Sequence, residues 1–530
     1  MHPPHDPTEP AARNRASVRL LGRTGLALLG IAVAAKGLGY GRDVVLAALF
    51  GASRATDGFF LVFALWVQVA ISLAGSCVQV FVPRWHAARN AGGEGSTAPL
   101  AGGTLLVFGG VLSALAALVA IAAEPLIGAV APEFEPAARA DVVQLLRLVA
   151  PVLPLSGLAG VLVALAHARG HYLYVKAAGL GMNVGILIAL LVAGSSAGLP
   201  AAAAGCTLGA MITLGITALY PLRHRQRLRV SAAGIRLGLG VLAGVAALTV
   251  LGHSGGYLMQ LATRAAFARL PGGQLTSLSY ATRVIGLPVQ MLQFATLTAL
   301  IGVLSARVAA GSLSEAAELG RTILRMLLFA LLPATLTLVL LREPIVRLLF
   351  QRGAFTPEAT ALTALLLGCL APVTLAAMVR NVIATAWYAR GAVWLPNAVG
   401  VLGVLIFVVG APWAAAVGGA WGLALLQGLS SITTLAVLAL LSPAVLGISW
   451  GGVWPVALRI VRACAPALAF VAVIEYLGTR AGPPSPSWDL GVVSLAVAGG
   501  AALYLGQARR VGLQPELALL RGVLGPREDR

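Results

Sequence analysis

The chain has 530 residues, of which 59% are hydrophobic and only 10% are charged. Soluble domains carry about 25% charged residues, so a soluble protein of this size could not bury so much apolar surface. The apolar runs are long and unbroken, without the period-two alternation of membrane barrel strands. Because a bilayer offers no partners to backbone N–H and C=O groups, these runs are expected to form helices. The predicted fold class is all-α, a polytopic membrane protein.

The formal net charge is +19. In a soluble chain this charge would suggest nucleic-acid binding, but no basic patch here is interleaved with aromatic residues. In a membrane chain the excess indicates basic cytoplasmic loops. The four cysteines lie far apart in apolar runs, and the sequence has no metal-binding, nucleotide-binding or hydrolase motif. We therefore expect neither an enzyme nor a resident metal or cofactor, and no nucleic-acid partner.

A transmembrane helix needs about 20 mostly apolar residues, and fourteen candidate spans follow one another along the chain. A polar, proline-rich segment precedes them and predicts a disordered cytoplasmic tail. The spans are 22–50, 58–82, 101–128, 142–167, 177–197, 200–222, 237–262, 274–305, 322–341, 361–388, 394–416, 418–442, 457–477 and 489–507.

Basic and acidic loops alternate along this series. Loop 223–236 holds five arginines and no acid, and both terminal segments are basic. The loop around 133–141 carries three acids, whereas loop 342–360 is mixed. With an even number of spans, the positive-inside rule places both termini in the cytoplasm of a multi-pass protein of the bacterial inner membrane.

An internal repeat relates two parts of the chain. Residues 150–170 and 371–391 both begin Ala-Pro-Val and end Ala-Arg-Gly, and the Glu-Pro at 124–125 is echoed at 343–344. The offset of six spans predicts two pseudo-symmetric six-helix bundles, a transporter architecture with the substrate site between the halves. The predicted domains are a tail (1–18), an N-terminal bundle (19–230), a C-terminal bundle (231–445), an appended helix pair (446–507) and a basic tail (508–530).

Ionisable side chains lie inside several predicted spans, where a charge costs roughly 2.5–3.5 kcal/mol at the helix centre. Lys36 is mid-span and Arg283 is flanked by apolar runs, which favours a cationic cavity for an anionic substrate, because such groups usually face water or a partner. Arg42 and Asp43 could equally form a structural pair at a helix end. The other residues assigned to the cavity or its support are Arg264, Arg269, Arg380 and Asn381. Of these, the arginines at 264 and 269 could instead extend to the membrane interface.

Four segments stand out as motifs: KGLGYGRDVVLAALFGASRATDGFF at 36–60, FVP at 81–83, YATRVIGLP at 280–288, and LLFQRGAFT at 348–356, which Trp-Tyr-Ala follows at 387–389. Together they resemble the MurJ/MviN family of lipid II flippases. The resemblance implies export of a lipid-linked peptidoglycan precursor by alternating access. It implies that Lys36, Arg42 and Arg283 contact the pyrophosphate-bearing head group, that Asp57 supports the first bundle, and that a groove beside the last two spans holds the lipid tail.

The second span departs from the family pattern. The family has Pro-Asn, then Arg, then Glu-Gly in this stretch, but residues 64–77 read ALWVQVAISLAGSC. In the eighth span, Thr282 stands where the family has Asp. The chain could therefore move lipid II or another polyprenyl-pyrophosphate-linked oligosaccharide, of the exopolysaccharide or O-antigen type.

Two other classes of protein remain open. A multidrug or cation antiporter of similar build would favour acidic cavity residues, and a non-transporting scaffold of a wall-synthesis complex would not need Lys36 and Arg283. The expected partners are the anionic lipid-linked glycan, membrane lipids and cell-wall synthesis proteins. With no ATPase motif, transport would be driven by an ion gradient or the membrane potential.

Overall fold

The computed structural model describes residues 30–31, 33–226, 228–251, 254–292, 313–392, 394–446, 450–481 and 485–524. Every regular element in these ranges is helical, which confirms the all-α fold class. The predicted tail 1–18 lies outside the described residues, as does most of the second half of the eighth predicted span.

Eighteen helices occupy the described part of the chain. A π-helical turn at Phe63–Val67 joins the second helix to the third, and a short 3₁₀ turn at Gly451–Val453 precedes the sixteenth. The helices are α1 (33–50), α2 (Arg54–Val62), α3 (Gln68–Ile121), α4 (Ala123–Val130), α5 (Pro136–Val149), α6 (Val152–Ala168), α7 (Tyr172–Ala197), α8 (Leu199–Arg223), α9 (Ala232–Leu251), α10 (Ser254–Ala268), α11 (Gln274–Leu292), α12 (Leu313–Leu340), α13 (Arg342–Phe350), α14 (Pro357–Ala389), α15 (Trp394–Leu446), α16 (Trp454–Ala481), α17 (Pro486–Arg510) and α18 (Gln514–Leu524).

Eleven helical stretches in the described residues are long and apolar enough to cross a membrane. One of them, Trp394–Ala444, contains two of the predicted spans. Its helix, α15, is interrupted at Gly419, where φ is +51°, beside the predicted boundary. Helix α3 is likewise interrupted at Gly92 and Gly93, between the second and third predicted spans. The glycines mark these boundaries because they adopt backbone angles that other residues rarely reach.

The predicted repeat is visible as two identical helix ends. Gly170 and Gly391 have φ of +78° and +77°, which places each in the left-handed conformation that ends a helix. In one copy the N–H of His171 donates to the carbonyl of Ala166 at 2.9 Å. In the other, the N–H of Ala392 donates to the carbonyl of Trp387 at 3.1 Å. The repeated Ala-Arg-Gly therefore encodes a Schellman cap in both halves.

The chain forms two compact units. The first comprises residues 1–46, 62–129 and 139–249. In it the paired helices α3 and α6, and α7 and α8, pack closely through glycines. A Cβ at Gly160 would lie 2.7 Å from the Cα of Ala74, and one at Gly209 would lie 2.7 Å from the Cα of Met182. Small residues therefore set the close helix spacing, as is typical in membranes.

The second unit comprises residues 47–61, 130–138 and 250–530. Its core contains the fully buried Trp387, whose indole N–H donates to Ser442 Oγ at 3.2 Å. Pro333 has no N–H for the carbonyl of Phe329, four residues earlier. The hydroxyl of Tyr504 on α17 donates to that carbonyl at 2.8 Å, so α17 satisfies the backbone group that the proline leaves open in α12.

The appended pair α16–α17 is fixed to α13 by an ion pair. Arg347 Nε and Nη2 donate to the two carboxylate oxygens of Asp489 at 2.7 and 2.8 Å. This hydrogen bonding to Asp489 raises the pKa of Arg347 above its ordinary value. The mixed charge of loop 342–360 is thereby explained in part, because Arg347 pairs with an acid from α17. Beyond the pair, the predicted basic tail contains the helix α18. Leu517 in this helix and Leu513 just before it are buried.

Candidate functional site

Arg42 and Asp43 form a buried ion pair on α1, in the first unit. Only 4% of Arg42 and 3% of Asp43 are exposed. Nε and Nη2 of Arg42 both donate to Oδ1 of Asp43, at 3.0 and 2.6 Å. The guanidinium also lies 5.9 Å from the centroid of the Phe63 ring. The pair is therefore structural in this conformation, and a contact of Arg42 with substrate stays a prediction.

Asn183 on α7 completes this pair and was not predicted. Its Oδ1 accepts a hydrogen bond from Arg42 Nη1 at 2.9 Å, and its Nδ2 donates to the carbonyl of Ala35 at 3.0 Å. Gly39 faces the Asn183 amide, and a Cβ there would lie at an ordinary contact distance of 3.5 Å from it. Lys36 neighbours Ala35 on α1, and its side chain is exposed. One amide thus fixes the segment of α1 that carries both predicted cations.

Asp57 lies in the second unit and binds the N-terminus of α11. It is fully buried. Its carboxylate accepts the backbone N–H of Gly273 and the backbone N–H and hydroxyl of Thr276, each at 2.7 Å. A carboxylate is favourable here because the first N–H groups of a helix have no partner within it and carry partial positive charge. The structure therefore gives Asp57 a supporting role within the second unit, and its contact with substrate stays a prediction.

Arg54 lies one turn before Asp57 on α2, and its side chain binds the C-terminal end of α10. Its Nη1 donates to the carbonyls of Ala268 and Leu270 at 3.0 and 2.7 Å, and its guanidinium lies 4.2 Å from the centroid of the Phe134 ring. Cations stabilise the C-terminal ends of helices, where carbonyls lack partners. Arg54 and Asp57 together hold both sides of the α10–α11 turn, and we call these two residues the α2 clamp.

Three segments that resemble the flippase family meet beside the α2 clamp. The ring of Tyr280 lies 5.4 Å from Phe60, 4.7 Å from Phe350 and 5.6 Å from Phe355, measured between ring centroids. These rings belong to the segments 36–60, 280–288 and 348–356.

The backbones of two of these segments also touch. The N–H of Ala354 donates to the carbonyl of Ala48 at 2.8 Å. Gly51 and Gly353 have φ of +60° and +59°, and a Cβ on either would collide with the opposing carbonyl. Both glycines are therefore required for this close approach.

Arg264 and Arg283 lie near each other in the second unit. Arg264 on α10 donates from Nη1 to Ser279 Oγ on α11 at 3.2 Å. Both arginines are half-buried, whereas Arg269 at the end of the same turn is exposed. Arg380 on α14 is half-buried beside the exposed Asn381, with 3.5 Å between its Nη2 and Asn381 Oδ1. The structure therefore joins Arg264 to the α11 face that carries Arg283.

The departing second-span stretch forms its own contacts in the first unit. Trp66 donates from its indole to the carbonyl of Ala150 at 3.1 Å, a carbonyl that also accepts the backbone N–H of Leu153 at 3.4 Å. Thr249 on α9 donates to Ser76 Oγ at 3.0 Å, and both hydroxyls are buried. These neutral contacts occupy the stretch in which the family has charged residues.

Within the described ranges, no group of three or more His, Cys, Asp or Glu side chains is arranged to hold a metal ion.

Solved structures with a similar fold are transporters. A structure titled as lipid II flippase MurJ in an inward-closed conformation has a TM-score of 0.74 at 16% identity, over 91% of this chain and 98% of that one. An inward-facing multidrug resistance transporter of the MATE family has a TM-score of 0.61 at 13% identity, over 78% of this chain and 94% of that one. At these identities the likeness shows the fold alone, and it defines the class as a multi-pass membrane protein with the fold of these structures.

The sequence comparison then gives the family. The model of the family described as "Lipid II flippase MurJ" matches residues 46–483, and this chain belongs to that family. A probable lipid II flippase MurJ from Rhizobium meliloti (strain 1021) is 43% identical over 88 residues. That match covers 17% of this chain and 16% of the relative. One from Rhizobium tropici is 33% identical over 104 residues, covering 20% of each. These alignments thus span a fifth or less of the curated relatives' own length.

Proposed function

We propose that this chain translocates lipid II, a lipid-linked peptidoglycan precursor, across the bacterial inner membrane by alternating access. The observation that carries the proposal is the family match over residues 46–483. The ring contacts of Tyr280 support it, because they pack three family-like segments against one another. Both termini would lie in the cytoplasm, as the distribution of basic loops favours.

Intramembrane cations suit the proposed cargo. The head group of a polyprenyl-pyrophosphate lipid carries two linked phosphates, and arginine binds phosphate through two parallel N–H donors. Lys36 and Arg283 are the cations that we propose to contact it, since Arg42 is already held in an ion pair with Asp43. The prenyl tail would stay in lipid while the head group moves, driven by an ion gradient or the membrane potential.

Rescue of cells depleted of their own lipid II flippase tests this function. We expect the wild-type chain to restore growth. Lys36→Ala and Arg283→Ala should each abolish the rescue at unchanged expression, because each removes a proposed phosphate contact. Arg480→Gln is the matched control, since it removes one exposed positive charge at the end of α16 and should rescue fully.

Two results would contradict the proposal. Failure of the expressed, membrane-inserted wild-type chain to rescue would remove lipid II as the substrate. Full rescue by both Lys36→Ala and Arg283→Ala would remove the assignment of these two cations. Transfer of fluorescent lipid II across liposomes containing the purified chain separates the first result from poor compatibility with the host.

A further inference from the structure

Arg264 presents its guanidinium to the face of α11 that carries Arg283. Its Nη1 donates to Ser279 Oγ at 3.2 Å. The Ser279 hydroxyl donates in turn to the carbonyl of Leu275 at 2.9 Å, so it accepts from Arg264. Ser279 and Arg283 are four residues apart on one helix and therefore lie on the same face. The two guanidinium groups are close enough for their charges to repel.

Carboxylates do not neutralise Arg264 within the part of the chain that the structure describes. There its guanidinium has the Ser279 hydroxyl as its hydrogen-bond partner. The family-like motif would carry an acid next to Arg283, but this chain has Thr282, whose hydroxyl donates back to the carbonyls of its own helix. An acid of the family-like motif is therefore replaced by a neutral residue beside these two cations.

Holding Arg264, whose described partner is a neutral hydroxyl, beside a second half-buried cation is unfavourable, and a bound anion would relieve that cost. One anion that contacts both groups would convert their repulsion into attraction. A pyrophosphate has the charge and the two separate phosphate groups to do this, and each planar guanidinium can bind one phosphate through paired N–H donors. A monophosphate offers a single group and would gain less from the second arginine.

We propose that Arg264 is a substrate-binding residue that acts with Arg283 to select a pyrophosphate over a monophosphate. This inference rests on the proposed function and deepens it, because it names the chemical group that is recognised and the residue that adds to the recognition.

Binding to two defined probes tests the proposal. The purified full-length chain in nanodiscs is titrated with undecaprenyl pyrophosphate and with undecaprenyl monophosphate. Wild type should bind the pyrophosphate more tightly. Arg264→Gln should weaken pyrophosphate binding by about tenfold or more, the effect of one lost charge-assisted hydrogen bond, and should change monophosphate binding far less. Arg264→Lys should fall between, because it keeps the charge but loses the paired donors.

Arg480→Gln is again the charge-matched control and should keep the wild-type preference. An unchanged ratio of the two affinities in Arg264→Gln would overturn the proposal. An equal loss of both affinities with a lower thermal midpoint would also overturn it, because a purely structural role predicts that pattern. A wild-type chain that binds neither probe would refute the proposed function itself, whereas normal wild-type binding with an unaltered Arg264→Gln variant refutes only this inference.

Discussion

Two acid–base pairs lie close together in sequence and do different things. Arg42 and Asp43, neighbours on α1, satisfy each other and recruit Asn183. Arg54 and Asp57, three residues apart on α2, bind backbone groups of α10 and α11. An arginine and an aspartate therefore neutralise each other in the first pair, whereas in the second pair they hold a helical turn.

Spacing and partners explain the difference. In the first pair the charges meet within one buried ion pair, so each neutralises the other. In the α2 clamp the acid faces helix N–H groups and the base faces helix carbonyls, so each side chain complements one end of the local helix dipoles. The comparison shows that a charge inside an apolar segment can be satisfied by the backbone as completely as by an opposite charge.

The largest expected effect is that of Asp57→Ala. It leaves two backbone N–H groups without their acceptor, and each buried unsatisfied group costs about 1–3 kcal/mol. The Thr276 hydroxyl can still donate to Thr56 Oγ1 at 3.0 Å. We expect a loss of about 3–5 kcal/mol in the free energy of unfolding, measured by denaturant titration in detergent. Asp57→Asn, which keeps one acceptor oxygen, should lose less. Unfolding of Asp57→Ala at the wild-type midpoint would show that the clamp does not stabilise the turn.

Asp43→Ala should come next, with a loss of about 2–3 kcal/mol. It leaves Arg42 buried with Asn183 as its remaining acceptor among the contacts described, and a buried charge without its partner is strongly destabilising. The double change Arg42→Met with Asp43→Ala should recover part of the loss, since it removes the stranded charge. A double variant less stable than Asp43→Ala would contradict this account.

Arg54→Ala should have a smaller effect, about 1–2 kcal/mol. The carbonyls of Ala268 and Leu270 lose a charged donor, but the contact between Arg54 and Glu133 reaches the exposed surface, so water can replace part of it. Circular dichroism melting curves of the purified variant measure the change. Arg54→Lys should lose only about half as much unfolding free energy as Arg54→Ala. A loss as large as that of Arg54→Ala would show that packing on Phe134, and not the charge, makes the contribution.

The smallest effects are the coupling energies of the two pairs, and they sharpen the comparison most. In double-mutant cycles, Arg42 and Asp43 should couple by at least about 1.5 kcal/mol, because they bond directly. Arg54 and Asp57 should couple by about 0.5 kcal/mol or less, because their hydrogen bonds go to different helix ends. Equal coupling in both cycles would erase the distinction between a self-contained pair and the α2 clamp.

Hydropathy predicted the helices well where a span is one apolar run. The segment 177–197 is α7, Tyr172–Ala197, and the boundary between two later spans falls beside Gly419. The predicted span 101–128 is confirmed as a candidate span at Gly95–Ile121, but its end differs, because α3 ends at Ile121 and α4 begins at Ala123. The Glu-Pro dipeptide there starts a new helix, as proline in a first turn does.

The contacts of the polar side chains could not be predicted from the sequence. Asn183 is one polar residue in an apolar run, and its partner Arg42 lies 141 residues away. Asp57 meets Thr276 from a distance of 219 residues. Charge inside a span indicated that these residues matter, but only the folded chain shows whether a neighbour is an acid, an amide or a helix end. The assignment of Lys36, Arg42 and Arg283 to substrate stays a prediction.

The π-helical turn at Phe63–Val67 has a consequence for comparing this chain with its relatives. A π turn holds one more residue than an α turn, and each residue of an α-helix advances the side-chain direction by about 100°. Every side chain from Gln68 onward is therefore rotated relative to an uninterrupted continuation of α2. A relative with one residue fewer here could form a regular α turn. The helix faces before and after the turn would then point in the same directions as in this chain. A one-residue gap in an alignment of the two helices therefore belongs at this turn and nowhere else in the helix.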